Sequence, residues 1–206
     1  MTPAIRERPV LFSAPMVRAI LHGRKTQTRR VVKGHALEWL APDTFTPAVV
    51  ALPENGLSPY GYAGDRLWVR ETWLADPPIN GWPGDIEWSG CGRPISGVPR
   101  QYRAPEHCIY AASCGRDASL RWYPSIFMPR WASRILLELT DVRVERLQDI
   151  GEDDAIAEGC FDEKEHDGSL PSRIFAELWN SLNAKRGYGW DANPWVWAIT
   201  FRRIAR

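Results

Sequence analysis

Ile20-Leu21-His22-Gly23-Arg24-Lys25-Thr26-Gln27-Thr28-Arg29-Arg30 is the stretch on which the reading of this chain turns. Just upstream, Val10-Leu11-Phe12-Ser13 reads as a short strand, with Ser13 and Pro15 suited to the start of a helix. Met16, Ala19 and Ile20 fall on one face of that helix, and Gly23 is a natural C-terminal stop. One lysine, two threonines and three arginines then share the seven residues from Arg24 to Arg30, at a helix end and the loop or strand after it. Crowded cations lower one another's proton affinity, and a hydroxyl stands near an amine. The same spacing serves nucleic-acid binding or hydrolysis.

Further along, residues 33 to 64 are rich in turn-forming types and read as loop, with one short strand around Ala48 to Leu52. Gly64-Asp65 is a turn signal, and Leu67 to Trp73 reads as a strand. Residues 75 to 106 carry many Pro and Gly and read as an elaborated insertion. Cys108 to Ala112 is a strand candidate, and Pro124 to Trp131 is irregular. Ser133 to Glu145 is the longest strand, with a change of apolar parity near Thr140-Asp141 that predicts a bulge or bend. Gly151 to Glu158 reads as a short acidic helix stopped by Gly159. In the helix from Ser172 to Ala184, Ile174, Leu178 and Leu182 line one face, supported by Phe175 and Trp179. A final strand alternates Trp195, Trp197, Ile199 and Phe201 with Val196, Ala198 and Thr200, and both tryptophans read as core. Short strands with helices between them predict an α+β fold, a mostly antiparallel barrel with helical decoration.

A chain of 206 residues suits one domain, here 1–206 with insertions at about 33–58 and 75–106. The formal net charge of +1 gives no global pull onto nucleic acid, so any basic footprint is local. Eleven tryptophans favour a well-filled core and leave some for a flat ligand such as a base. No run reaches the roughly 18 apolar residues of a membrane helix, and the first residues lack a signal core, so a cytoplasmic location is expected. Cys91, Cys108, Cys114 and Cys160 have no C-x-x-C spacing and read as free thiols; His107 beside Cys108 matches no common metal site.

Taken in order, Gly23-Arg24-Lys25-Thr26-x-Thr28-x-Arg30, Gly64-Asp65-x-Leu67-Trp68-Val69, the acidic helix ending Ala157-Glu158-Gly159 and the closing strand Trp195 to Ile204 resemble the ASCH family of PUA-like barrels. Arg70-Glu71-Thr72-Trp73 and Met128-Pro129-Arg130-Trp131-Ala132-Ser133 resemble its longer form, often carried by phages and prophages. The resemblance implies binding of RNA or modified bases, or hydrolysis of N4-acetylcytidine as in similar small bacterial proteins; other members are ribonucleases. It places the catalytic lysine and threonine at Lys25 and Thr28, and the glutamate at Glu158. It also implies no metal and no organic cofactor. The expected partner is a small nucleoside, with RNA as a second candidate, acted on by a monomer without a membrane.

Hydrolysis of an N-acylated cytosine needs a nucleophile, a stabilised oxyanion and a proton for the leaving nitrogen. Thr28 supplies the nucleophile or holds the water, Lys25 activates it, and Glu158 is acid and base. An unperturbed lysine titrates near about 10.4, so Lys25 needs burial and its arginine neighbours to lower that value. Arg24, Arg30, Phe12, Trp68 and Glu71 are the candidate substrate-binding residues, with Trp68 stacking on the base and Glu71 accepting from its amine. Glu71 has a plainer reading, as an ion-pair partner of Arg66, Arg70 or Arg130. Positions 25 and 28 oppose each other on a regular strand, so a turn between them is required if both serve one pocket.

Overall fold

A computed structural model describes residues 5–41, 44–76, 95–117, 120–161 and 168–205. Cys91 and most of the expected insertion at 75–106 lie outside the described residues. The elements run β1 (Glu7–Leu11), α1 (Ala14–Leu21), β2 (Gln27–Val31), α2 (His35–Trp39), α3 (Pro47–Val50), β3 (Arg66–Arg70), β4 (Trp73–Ala75), β5 (Cys108–Tyr110), α4 (Ala111–Cys114), β6 (Leu136–Arg146), α5 (Glu152–Ala157), α6 (Pro171–Asn183) and β7 (Trp195–Ile204). Mixed α and β content is as expected. A closed barrel is not formed among the described residues. The five-stranded sheet has the open order β1-β3-β6-β7-β2, and β4 pairs with β5 in a separate antiparallel ribbon. The stretch read as one strand from Leu67 to Trp73 is thus divided between two sheets.

The chain forms two compact units. The first gathers Met1–Arg8, Ala19–Arg66 and Leu137–Arg203. Its apolar centre is Leu147, Ile150, Ala155, Phe175, Trp179 and Val196. On α6 the buried face is carried by Phe175 and Trp179, while Leu182 stands exposed, so the face is rotated from the expected Ile174-Leu178-Leu182 line. Aromatic rings bury more area than leucine and decide which stripe turns inward. β7 lies between β6 and β2 and is buried on both faces from Val196 to Ile199. Trp197 is core as expected; Trp195 is half-buried and carries the Arg146 guanidinium 4.1 Å above its ring. β6 runs unbroken through Thr140-Asp141, although its buried positions shift from Leu137 and Leu139 to Val144.

Residues 33 to 58 hold helices where loop and a strand were expected. Thr46 caps α3 by accepting from the Val49 amide at 3.4 Å, and Pro47 opens the helix. That cap and a pre-set proline φ outweigh the strand preference of Val49 and Val50.

The second unit gathers Pro9–Arg18, Leu67–Leu136 and Ile204–Arg206. Its centre is Trp73, Ala75, Val98, Tyr110, Met128 and Ala132, with Tyr123 and Trp131 packed against it. β5 stops at Tyr110 and turns into the short helix α4. Cys108, Cys114 and Cys160 are not joined in disulfides. No helix among the described residues is long and apolar enough to cross a membrane.

Candidate active site

Gly23 starts the site. With φ of +74° it ends α1, its own amide donating to Ile20 O (3.1 Å) while Arg24 N donates to Ala19 O (2.9 Å). This is the paired closure that a left-handed glycine permits at a helix C-terminus. The chain leaves in a fixed direction: Lys25 N also donates to Ala19 O, and Thr26 N donates to Ala157 O at the end of α5. β2 then pairs antiparallel with β7, Thr28 opposite Ile199 and Arg30 opposite Trp197.

Lys25 and Glu158 meet in the interior of the first unit, 2% and 4% exposed. The amine donates to Glu158 Oε2 (2.8 Å), to the Glu158 carbonyl (2.7 Å) and to Gln27 O (2.8 Å). It therefore satisfies a helix-end carbonyl and neutralises a carboxylate that the C-terminal helix dipole would otherwise disfavour. Gly159 makes this approach possible. A Cβ there would lie 2.6 Å from Lys25 Cβ and 3.1 Å from Lys25 Cα, and its φ is +75°.

Burial pulls the Lys25 amine below the ordinary lysine value, and the Arg30 charge pulls the same way; Glu158 opposes both. Burial lowers Arg30 as well, with Tyr60 and Glu158 opposing, though a guanidinium stays charged. Thus Arg30, Lys25 and Glu158 act on one another electrostatically.

A polar lattice surrounds the pair. Arg29, 1% exposed, donates from Nη1 to Glu158 Oε1 (3.3 Å) and Gln27 Oε1 (2.6 Å), from Nη2 to Asp154 Oδ2 (2.8 Å), and from Nε to Glu145 Oε1 (2.9 Å). Gln27 Nε2 donates to Asp154 Oδ1 and Thr200 Oγ1, both at 3.1 Å. Arg143 ties Asp141, Glu145 and Asp154 from the outer side. Burial works against ionisation of Asp154, yet Arg29, Arg143 and Gln27 hold its carboxyl below the usual aspartate value.

Lys25, Thr28, Arg24, Arg30 and Glu158 all belong to the first unit. Lys25 and Glu158 are in contact. Thr28 is buried on β2, but among the described residues its hydroxyl makes no hydrogen bond to either. No turn separates 25 from 28: Lys25 lies two residues before the strand, and the strand parity puts Thr28 with Arg30 and Gln27 with Arg29. Arg24 is exposed. Phe12, Trp68 and Glu71 belong to the second unit. Phe12 and Trp68 are buried there, and the Arg70 guanidinium lies 5.1 Å from the Trp68 ring. Glu71 is held by both nitrogens of one guanidinium, Arg134 Nε at 2.8 Å and Nη2 at 2.9 Å, in place of Arg66, Arg70 or Arg130. Burial raises the Glu71 carboxyl, and Arg134 opposes that.

The sequence reading took Arg29 only as one of the crowded cations, and missed Gln27, Asp154 and Tyr60. A signal for the first three was present: Lys25, Gln27 and Arg29 recur every second residue, and Asp154 and Glu158 stand four apart on one helix face. Tyr60 is half-buried, its hydroxyl raised by burial and pulled back by Arg30. It arrives from a loop, and no local pattern connects it to Arg30.

No family model matches this chain, and no curated protein matches it either. Among solved structures it is similar to a DUF984-family protein from Enterococcus faecalis, at 9% identity and a TM-score of 0.42, covering 99% of this chain and 83% of that one. It is also similar to an ASCH domain from Lactobacillus crispatus, at 13% identity and a TM-score of 0.40, covering 96% of this chain and 79% of that one. Superpositions this loose carry no inference about activity; the solved structures that this chain resembles nonetheless include an ASCH domain.

Proposed function

We propose that the chain is an amidohydrolase that removes the acyl group from N4-acylated cytidine, giving cytidine and a carboxylic acid. The observation that supports this reading is the buried Lys25–Glu158 pair, 2.8 Å apart, with its amine depressed by burial and by Arg30. A lysine lowered in this way is a better base at neutral pH. Water adds to the acyl carbon, or the Thr28 hydroxyl adds and the resulting threonyl ester is hydrolysed by water after cytidine has left. The attacking group's proton passes to the Lys25–Glu158 pair, the C–N bond breaks, and the pair returns the proton to the exocyclic nitrogen. Arg30 faces the developing negative charge. The pyrimidine ring delocalises charge from the leaving nitrogen, which lowers the demand on the acid.

One observation favours a second reading. All three Lys25 protons have protein acceptors, the geometry of an anchored cation. A site built only on that anchor would bind a base or RNA without turning it over.

Purified protein incubated with N4-acetylcytidine separates the two. Wild type should release cytidine, and Glu158→Gln and Lys25→Ala should each lose about a hundredfold or more in rate. Removing one partner of a buried pair costs about 3–5 kcal/mol of stability, so thermal melts accompany these variants. Thr28→Val keeps the pair and the side-chain volume, and tests the hydroxyl without that complication. Binding of the nucleoside with no cytidine released by folded wild type would discard the hydrolase in favour of the reader.

A further inference from the structure

A pocket that the proposed reaction does not use lies in the first unit, made largely by residues 33–58. Its volume is about 500 Å³, within the range of small-ligand sites. It is lined by Leu40, Phe45, Thr44, Thr46, Arg146 and Trp195, together with Ala41. Two features give it a ligand preference.

The first is an aromatic face. Phe45 is 45% exposed although it stacks on Trp39 at 4.4 Å with an interplanar angle of 28°. The stack fixes the orientation of a ring that stays partly exposed at the pocket wall, and an exposed, immobilised ring is a stacking platform for another flat ring. The second is a cation. The Arg146 guanidinium lies 4.1 Å above the Trp195 ring, and its Nη1 donates to Asn193 O at 3.1 Å. Among the described residues no carboxylate is within ion-pair distance of it, and its Nε and Nη2 donors take no protein acceptor. By contrast Arg29, Arg134 and Arg143 are each satisfied by carboxylates. A guanidinium pinned on an indole with its donors directed elsewhere suits an anion such as phosphate.

The geometry points to a nucleotide-binding subsite: a base stacks on Phe45 and its phosphate takes the free donors of Arg146. The ligand chemistry is a planar heterocycle carrying an anionic phosphate, from a free mononucleotide or from a single-stranded RNA. Thr44 adds a hydroxyl at the pocket wall for sugar or phosphate oxygens.

Titration calorimetry on the full chain tests this with uridine, uridine 5′-monophosphate and a single-stranded uridylate octamer. Binding of the monophosphate and the octamer, with uridine much weaker, is expected. Phe45→Ala and Arg146→Gln should each weaken that binding about tenfold or more. Both residues are exposed, so the variants should melt as wild type does and retain any N4-acetylcytidine turnover. Monophosphate binding places the source as a free nucleotide, and binding of the octamer alone places it as a strand. Binding of neither, or binding that both variants leave unchanged, would overturn the proposal.

Discussion

At the scale of single residues, the site is decided by what burial does to groups that carry protons. Lys25 and Cys160 illustrate opposite signs. Burial pushes the Lys25 amine down and the Cys160 thiol up to about 11, with Glu158 raising the thiol further and Lys25 pulling it back. Each group is driven towards its neutral form, as desolvation requires. For Cys160 the raised folded value means that its contribution to stability is fully present below the unfolded thiol value of about 8.5 and is lost as pH rises through about 11. It also makes the thiol unreactive, since the thiolate is the nucleophile. Alkylation of the folded protein by iodoacetamide, followed by peptide mass spectrometry, should modify exposed Cys114 faster than Cys160. The Cys160 rate should still be climbing at about pH 9.5. A rate that levels off near about 8.5 would mean that the thiol is solvated and that the interior around Lys25 is wetter than its contacts imply.

At the scale of elements, the site exists because two helix ends meet: the exit from α1 and the C-terminus of α5. Two glycines set that meeting. Both have positive φ, but nothing lies within 4 Å of a Cβ built at Gly23, whereas one at Gly159 runs into Lys25. Gly23→Ala should therefore cost only left-handed strain, about 1–2 kcal/mol. Gly159→Ala should cost that plus an overpacking penalty of about 1–3 kcal/mol, and should also displace Lys25. Comparative thermal melts check the stability difference, and turnover should fall in Gly159→Ala alone. Equal melting points would show that α5 moves away from Lys25 at little cost. Both glycines were legible in the sequence as helix stops, as was the clustering of Lys25 and Glu158 through the family resemblance. The ion-pair partner of Glu71 was not, because Arg134 is 63 residues away and several nearer arginines competed for it. The helices in 33–58 were missed for a local reason, the Thr46-Pro47 cap being hidden among residues that otherwise signal loop. The barrel was inferred from short strands with helices between them, a pattern that does not record whether the sheet edges join. The strand from Leu67 to Trp73 failed because apolar alternation continues across the point where the chain changes sheets.

At the scale of the whole molecule, charge separates the possible ligands. The formal net charge is +1, and the most buried cations, Lys25 and Arg29, are matched internally by Glu158, Glu145 and Asp154. Little cationic field is left to attract a polyanion from a distance. A neutral nucleoside releases no condensed counterions on binding, so its turnover should hardly change between about 50 and 200 mM salt. A single strand held at Arg146 makes one or two phosphate contacts, and each contributes about −0.7 to the slope of log affinity against log salt. The octamer should therefore show a shallow slope of about −0.7 to −1.4, measured by fluorescence anisotropy over that salt range. A slope several times steeper would require more phosphate contacts than Arg146 provides, and would place strand binding on a surface other than the Phe45–Arg146 pocket. A turnover that fell as steeply as strand binding would tie the two activities together and make a polymer the substrate of the Lys25–Glu158 site.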